Sequence, residues 1–294
     1  MSGAGMAPPA PTPPRLHLPG DLPAGAALHQ LLAAAVAELR ADLPLALAGE
    51  AEAVHRMRAT LRRMRAVLAL FAPVLPIAAA PRARTLRRLG RALGPARDWD
   101  VLVEETLPRA EAAGMAPITL AALHRAALME RRLAYARMRR TLGGPALTRA
   151  LAGLLAWSEP LAGRGRGILA QPVSLLAPGL LARLARGLRA GGKAIDSGDP
   201  EALHKLRRRT RRLRDAAEAL GDAAPTRLVK AARRLSEQLG RANDAATAAA
   251  LATRLARPRA AGPVPAAALS DWALTAEREA RRGLRRHWRK LRDA

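Results

Sequence analysis

Apolar residues recur at three- and four-residue spacings along almost the whole chain beyond residue 23, with Ala and Leu carrying most of the pattern. That recurrence turns one face of an α-helix toward a core, and nowhere is there the alternation that marks a half-buried strand. Helices are predicted at about 26–43, 50–72, 79–93, 98–113, 117–142 and 145–157. A second series follows at about 179–191, 200–220, 225–240, 243–257 and 266–291. Asp199 before Pro200 supplies an N-cap and a first-turn residue for one of them. Gly94 and Gly240 are expected to close their helices in the left-handed conformation, with Asp98 and Asp244 at the start of the helices that follow. The Pro- and Gly-rich stretch 158–178 reads as a linker between helical halves at 24–157 and 179–294. Residues 1–23, dominated by Pro, Ala and Gly, read as a disordered lead-in without the apolar run of a secretory signal.

Projected at about 100° per residue, helix 50–72 places Val54, Met57, Leu61, Met64, Leu68 and Phe71 on one face. His55, Arg58, Arg62 and Arg65 form a second stripe beside it. Helix 200–220 behaves alike: Leu203, Leu206, Thr210, Leu213, Ala217 and Leu220 face inward, and His204, Arg207, Arg211 and Arg214 line the flank. The likeness is one of identity as well as of periodicity. The eleven-residue pattern H-x-x-R-x-x-x-R-R-x-R occurs at His55–Arg58–Arg62–Arg63–Arg65 and again at His204–Arg207–Arg211–Arg212–Arg214, 149 residues later. Each copy is followed by Leu-Gly and an Asp: Leu93-Gly94-Pro95-Ala96-Arg97-Asp98 in the first half, Leu239-Gly240-Arg241-Ala242-Asn243-Asp244 in the second. Five fixed identities at identical spacing point to an internal duplication. The fold expected is all-α, two pseudo-symmetric antiparallel helical bundles.

Charge sharpens this reading. Fifty Lys and Arg against 24 Asp and Glu give a formal net charge of +26 over 294 residues, and only Lys193, Lys205, Lys230 and Lys290 are lysines. Such a surplus strains the compact state unless anions offset it, and the planar guanidinium fork matches phosphate oxygens. Further basic rows follow each motif: Arg84, Arg87, Arg88 and Arg91, then Arg227, Lys230, Arg233 and Arg234. There is no cysteine, which excludes disulfides and thiolate metal sites, and no apolar run long enough to span a bilayer. No phosphate-cradling Gly loop with Lys-Ser/Thr is present, and Asp98 with Asp100 makes only a weak metal pair. His55 and His204 remain open to three roles: polyanion contact, structural support, or phosphoryl acceptance. The four tryptophans fall on predicted helices and read as packing anchors.

The two histidine–arginine motifs with their downstream Leu-Gly and Asp resemble the CHAD domain, the conserved-histidine α-helical domain, over about residues 24–294. The resemblance implies paired helical bundles and non-enzymatic binding of long-chain inorganic polyphosphate, with no cofactor. Carried onto this chain, it makes His55, Arg58, Arg62, Arg65, His204, Arg207, Arg211 and Arg214 the leading contacts, with the rows at 84–91 and 227–234 behind them. Family members are often fused to a triphosphate-processing CYTH domain, and none is expected here. The protein is expected in the cytoplasm, off the membrane, on polyphosphate or storage granules. Nucleic-acid binding and a protein-interaction scaffold are the alternatives; one Phe and one Tyr leave little for base stacking.

Overall fold

A computed structural model describes residues 18–75, 80–163, 167–257 and 264–294. Among these residues the chain forms α1 (Ala24–Ala48), α2 (Ala51–Phe71), α3 (Ala80–Val101), α4 (Leu107–Ala112), α5 (Pro117–Leu142) and α6 (Ala146–Ala162). It continues with α7 (Val173–Arg186), α8 (Gly191–Ser197), α9 (Pro200–Ala219), α10 (Thr226–Leu255), α11 (Ala266–Arg281) and α12 (Leu284–Arg292). The one extended pairing among the described residues is a bridge between Pro23 and Pro172, so the fold is all-α as the periodicity requires.

Helices α1, α2, α3, α5 and α6 pack on one another, α9 to α12 do the same with α7 and α8 alongside, and α2 meets α9 between them. The apolar stripes fall where the helical wheel puts them: Val54, Met57, Leu61, Met64, Leu68 and Phe71 are each at most 1% exposed. Leu206, Thr210, Leu213, Ala217 and Leu220 are likewise buried, and Leu203 is half-buried. These stripes join one apolar core that runs from Leu18 to Leu291. Trp99 is fully buried with the Arg254 guanidinium 5.5 Å from its ring centre, and Arg82 lies 4.5 Å from that of Trp157. Trp288 rests on the Gly191–Gly192 step, where a Cβ on Gly191 would come within 2.2 Å of its indole nitrogen.

Helix boundaries differ from the sequence expectation in a consistent way. Gly94 and Gly240 do not end helices; each lies inside one, and neither has a positive φ. Asp98 and Asp244 are therefore not caps but interior residues of α3 and α10. Four prolines are likewise absorbed: Pro44 in α1, Pro95 in α3, Pro160 in α6 and Pro178 in α7. A helical proline frees the carbonyl four residues back. Here those residues are Arg40, Arg91, Ala156 and Ser174, all exposed, so water can take the freed acceptor. The real interruptions come elsewhere. A π-helical turn at Leu102–Thr106 lets the Leu107 N–H reach the Leu102 carbonyl just ahead of Pro108. The last expected helix breaks at Gly283, whose φ of 82° is left-handed, and the Gln238 side chain donates to the Ala280 and Arg282 carbonyls there.

The connection between halves is shorter than expected, because α6 runs to Ala162 and α7 begins at Val173. Residues 1–17 of the expected lead-in lie outside the described residues, but the lead-in does not extend to residue 23. Leu18 is buried, and Ala24 and Val173 donate to the Gln171 and Leu22 carbonyls (2.9 Å each), strapping this segment to the connection. Asp199 caps α9 as expected, accepting from the Glu201 and Ala202 N–H groups.

Two glycine substitutions test this geometry by urea denaturation. Gly240→Ala meets no atom within 4 Å. It should raise stability by about 0.5–1 kcal/mol, the gain of alanine over glycine inside a helix. A left-handed Gly240 would instead make the same change destabilising. Gly25→Ala would put a Cβ 2.0 Å from the Leu161 carbonyl oxygen of α6. It should lower stability by about 2 kcal/mol or more.

Candidate functional site

The arginine stripes of α2 and α9 border their buried faces, so packing α2 against α9 brings both stripes to a single groove. One part of it, about 550 Å³, is lined by Arg58, Arg62 and Arg65 of α2, Arg87 and Arg91 of α3, and Arg208, Arg211 and Arg212 of α9. Small residues, Ala66, Ala69, Ala83, Gly90 and Gly94, line it together with Leu61 and Leu86. A second part, about 280 Å³, shares Arg58, Arg62 and Arg211 and adds His55, Arg97 and Arg207. Here carboxylates appear as well: Asp98, Glu105 and Asp244, beside Asn243 and Thr247. Asp215 also lines the first part, so the groove has a predominantly cationic end and a mixed end.

Some of these charges are already satisfied. Arg58 donates to Asp98 at 2.9 Å and to the Gly94 carbonyl at 3.2 Å. Arg62 Nε donates across the halves to Asp215 at 2.7 Å; Asp215 is 4% exposed and accepts from Arg214 at 2.7 Å on its other oxygen. Arg97 is paired with Glu105 at 2.6 Å. Three are not satisfied: the Nε atoms of Arg65, Arg207 and Arg211 are buried and make no hydrogen bond.

Desolvation and like charge act together on these three. Burial first, then Arg207, Arg62 and Arg214, push the Arg211 guanidinium down to about 9. Burial first, with Arg58 and Arg62, pushes Arg207 down to about 10 despite Asp244. Arg65 is lowered by burial and by Arg87, Arg212, Arg208 and Arg91, and Arg212 by burial, Arg208 and Arg87. All remain charged at neutral pH, so the folded protein carries unneutralised cations facing one space. Asp244 is raised, because burial outweighs its neighbours Arg207 and Arg211. His55 is lowered by desolvation first, then by Arg97 and Arg62, and His204 by desolvation and the arginines of its own helix.

The groove gathers His55, Arg58, Arg62, Arg65, Arg87, Arg91, Arg207 and Arg211 from the expected set. It does not gather the rest. His204 is exposed outside the lining, and Arg84 and Arg88 point to solvent from α3. Arg214 is tied to Asp215 and Ser236, and Arg233 to Glu218. Arg227, Lys230 and Arg234 line a different cavity against α12. Sequence reasoning passed over Arg97, Arg208, Arg212, Asn243 and Asp244 as contacts. Four of these stood in repeated segments, Arg212 in the eleven-residue pattern and the others in the Leu-Gly-to-Asp tails; Arg208 had no such signal.

Asp98 and Asp100 do not converge: Asp98 serves Arg58, while fully buried Asp100 accepts from Arg131 (2.6 Å) and Tyr135 (2.9 Å). Among the described residues no group of three or more His, Asp or Glu is placed to hold a metal, and no helix is long and apolar enough to cross a membrane.

A family model for the CHAD domain matches residues 30–253. Among solved structures, the crystal structure of the CHAD domain from the plant Ricinus communis is similar, with a TM-score of 0.80 and 25% sequence identity over 95% of each chain. No curated protein sequence matches the chain.

An unpaired buried charge destabilises the fold that holds it. Arg211→Met keeps most of the side-chain volume and removes the charge and the orphaned Nε. It should raise the melting temperature by roughly 2–4 °C, corresponding to about 1 kcal/mol. Arg62→Met should lower it, because Asp215 then loses a partner while 4% exposed. Thermal unfolding at low salt in a buffer free of phosphate and other polyvalent anions measures both.

Proposed function

Because the chain belongs to the CHAD-domain family, we propose that it binds inorganic polyphosphate without chemistry, along the groove between α2 and α9. The observation that supports this most directly is the set of buried, unpartnered guanidinium nitrogens on Arg65, Arg207 and Arg211. A polyphosphate chain presents acceptor oxygens at every unit, and each can complete such a donor in a charge-assisted bond. Arg58, Arg62, Arg87, Arg91, Arg97, Arg208 and Arg212 add the surrounding field. Arg214 is a positioning residue, holding Asp215 where it orients Arg62. Among the described residues no carboxylate hydrogen-bonds to His55, and its place in the arginine-rich lining favours contact with the anion. Bases would find no Phe, Tyr or Trp face in the groove lining: Phe71, Tyr135 and Trp99 are buried, and half-buried Trp272 and Trp288 lie elsewhere. Binding of this kind would carry the protein onto polyphosphate deposits.

A titration against salt tests the groove. Arg65→Gln, Arg207→Gln and Arg211→Gln together should weaken long-chain polyphosphate binding by more than about tenfold and flatten the log–log salt slope by about 2, at roughly 0.7 for each phosphate charge left unneutralised. The same changes at Arg125, Arg132 and Arg137, exposed on α5, should cost less than about threefold, since charges outside the site act mainly through screened fields. Equal losses would mean that bulk charge binds the polymer. Duplex DNA or RNA outcompeting polyphosphate at equal phosphate would favour a nucleic-acid ligand instead.

The pH dependence carries a sign. His55 lies below the ordinary imidazole value of 6.5 in the free protein, facing Arg58, Arg62, Arg97, Asp98, Glu105, Arg207, Arg211 and Asp244. Bound phosphate favours its charged form, so binding takes up a proton and affinity rises as pH falls through the imidazole range. His55→Gln should remove most of that rise, and His204→Gln, outside the lining, should leave it. Calorimetry at two pH values in buffers of different ionisation enthalpy measures the proton uptake.

A further inference from the structure

Five basic side chains converge on a second cavity of about 600 Å³, between the first turns of α10 and the last helix, α12. Arg227, Lys230 and Arg234 come from α10, His287 and Lys290 from α12, and Thr226 adds its hydroxyl. It shares no residue with the groove. From Arg234 to Asn243, the nearest groove residue on α10, the helix rises about 14 Å. The two positions also lie on nearly opposite faces of the helix.

These cations are not neutralised by direct pairing, although the Asp293 carboxyl, held below its ordinary value first by Arg292, lies near enough to Arg227 to be lowered by it as well. Arg227, Lys230, Arg234 and Lys290 make no hydrogen bond or ion pair among the described residues. The one carboxylate in the lining, Asp293, is already paired with Arg292 at 2.8 Å. His287 donates its Nδ1–H to the Gly283 carbonyl at 3.0 Å, so its Nε2 edge is the one left for a ligand, and as imidazolium it donates there. The wall is fixed from behind: Leu284 and Leu291 are buried, Trp288 sits on Gly191–Gly192, and Arg285 pairs with Asp196 at 2.6 Å. Two of the four lysines in the chain stand here.

We propose that this α10–α12 cavity is a second anion site that takes a compact oligophosphate, separate from the groove. Its volume lies in the range of small-ligand pockets. Compact lysine ammoniums beside two arginine forks suit a short tail of high charge density rather than an extended polymer. That tail could be free inorganic oligophosphate or the triphosphate of a nucleotide; the recognition chemistry is shared.

Inorganic tripolyphosphate and a nucleoside triphosphate, each titrated into the full chain by calorimetry, distinguish the sources. Equal affinity means that the tail alone is read; a preference for either identifies the better occupant. Lys230→Glu with Lys290→Glu, both at exposed positions, should weaken the preferred ligand by about tenfold or more. The triple Gln variant of the groove should change it by less than about twofold, because the sites have no residue in common. No binding of either ligand, or equal loss in both variants, would overturn the proposal. Lysine acetylation read by mass spectrometry needs no variant: tripolyphosphate should protect Lys230 and Lys290 and leave Lys193 and Lys205 reactive. Uniform protection would also overturn it. The acetylation readout does not depend on whether the groove binds polyphosphate, since no lysine lines the groove, and groove binding itself is read from the groove variant with the long polymer.

Discussion

Everything in this molecule is arranged around one unfavourable contact, the approach of two arginine-bearing helices, α2 and α9, along their basic flanks. Apolar burial makes the approach possible. Each arginine stripe borders a stripe of Leu, Met, Val or Ala that is nearly inaccessible to water, and burying those side chains forces the neighbouring guanidiniums together. Asp215 relieves the contact at its centre, bridging Arg62 of one half and Arg214 of the other from a position 4% exposed. On either side of it the relief stops, and Arg65, Arg207 and Arg211 retain buried nitrogens without partners. Within the groove the neutralisation is partial: Arg58, Arg62 and Arg97 have carboxylate partners, and Arg65, Arg207 and Arg211 have none.

The helical class, the core stripes and the two motifs were legible in the sequence because each depends on spacing within one helix. Val54 to Phe71 and Leu206 to Leu220 are buried where a 3.6-residue period puts them. What was not legible is non-local. Nothing in the pattern says that the α2 and α9 stripes share one groove instead of forming two separate faces. Nor does it say that Arg63 is claimed by Glu38, or Arg233 by Glu218, while Arg212, in the register of Arg63, faces Arg87. The row Arg227, Lys230 and Arg234 looked like the counterpart of 84–91, yet α12 encloses it elsewhere. His204 matched His55 in sequence but not in position at the lining.

Local punctuation misled for a related reason. Gly94-Pro95 and Gly240 carry the strongest breaking signals in their segments, yet α3 and α10 run through them. A proline or glycine ends a helix when the cost of continuing exceeds what packing returns, and here the freed carbonyls face water. Continuing α3 past Gly94 also brings Asp98 onto the groove wall, where it meets Arg58 instead of capping a helix. The π turn further on leaves Glu105 beside Arg97 at the mixed end.

The crowding of guanidiniums between α2 and α9 gives ionic strength two opposite effects on the same molecule. Dissolved ions shorten the reach of the repulsion among Arg65, Arg87, Arg208 and Arg212, so the empty fold gains stability as salt is added. On the proposed reading, the same ions would compete with the polyanion for the groove and weaken its binding over the same range. Dilute buffer therefore holds this protein in its most strained and most receptive condition, and concentrated buffer in its most relaxed and least receptive one.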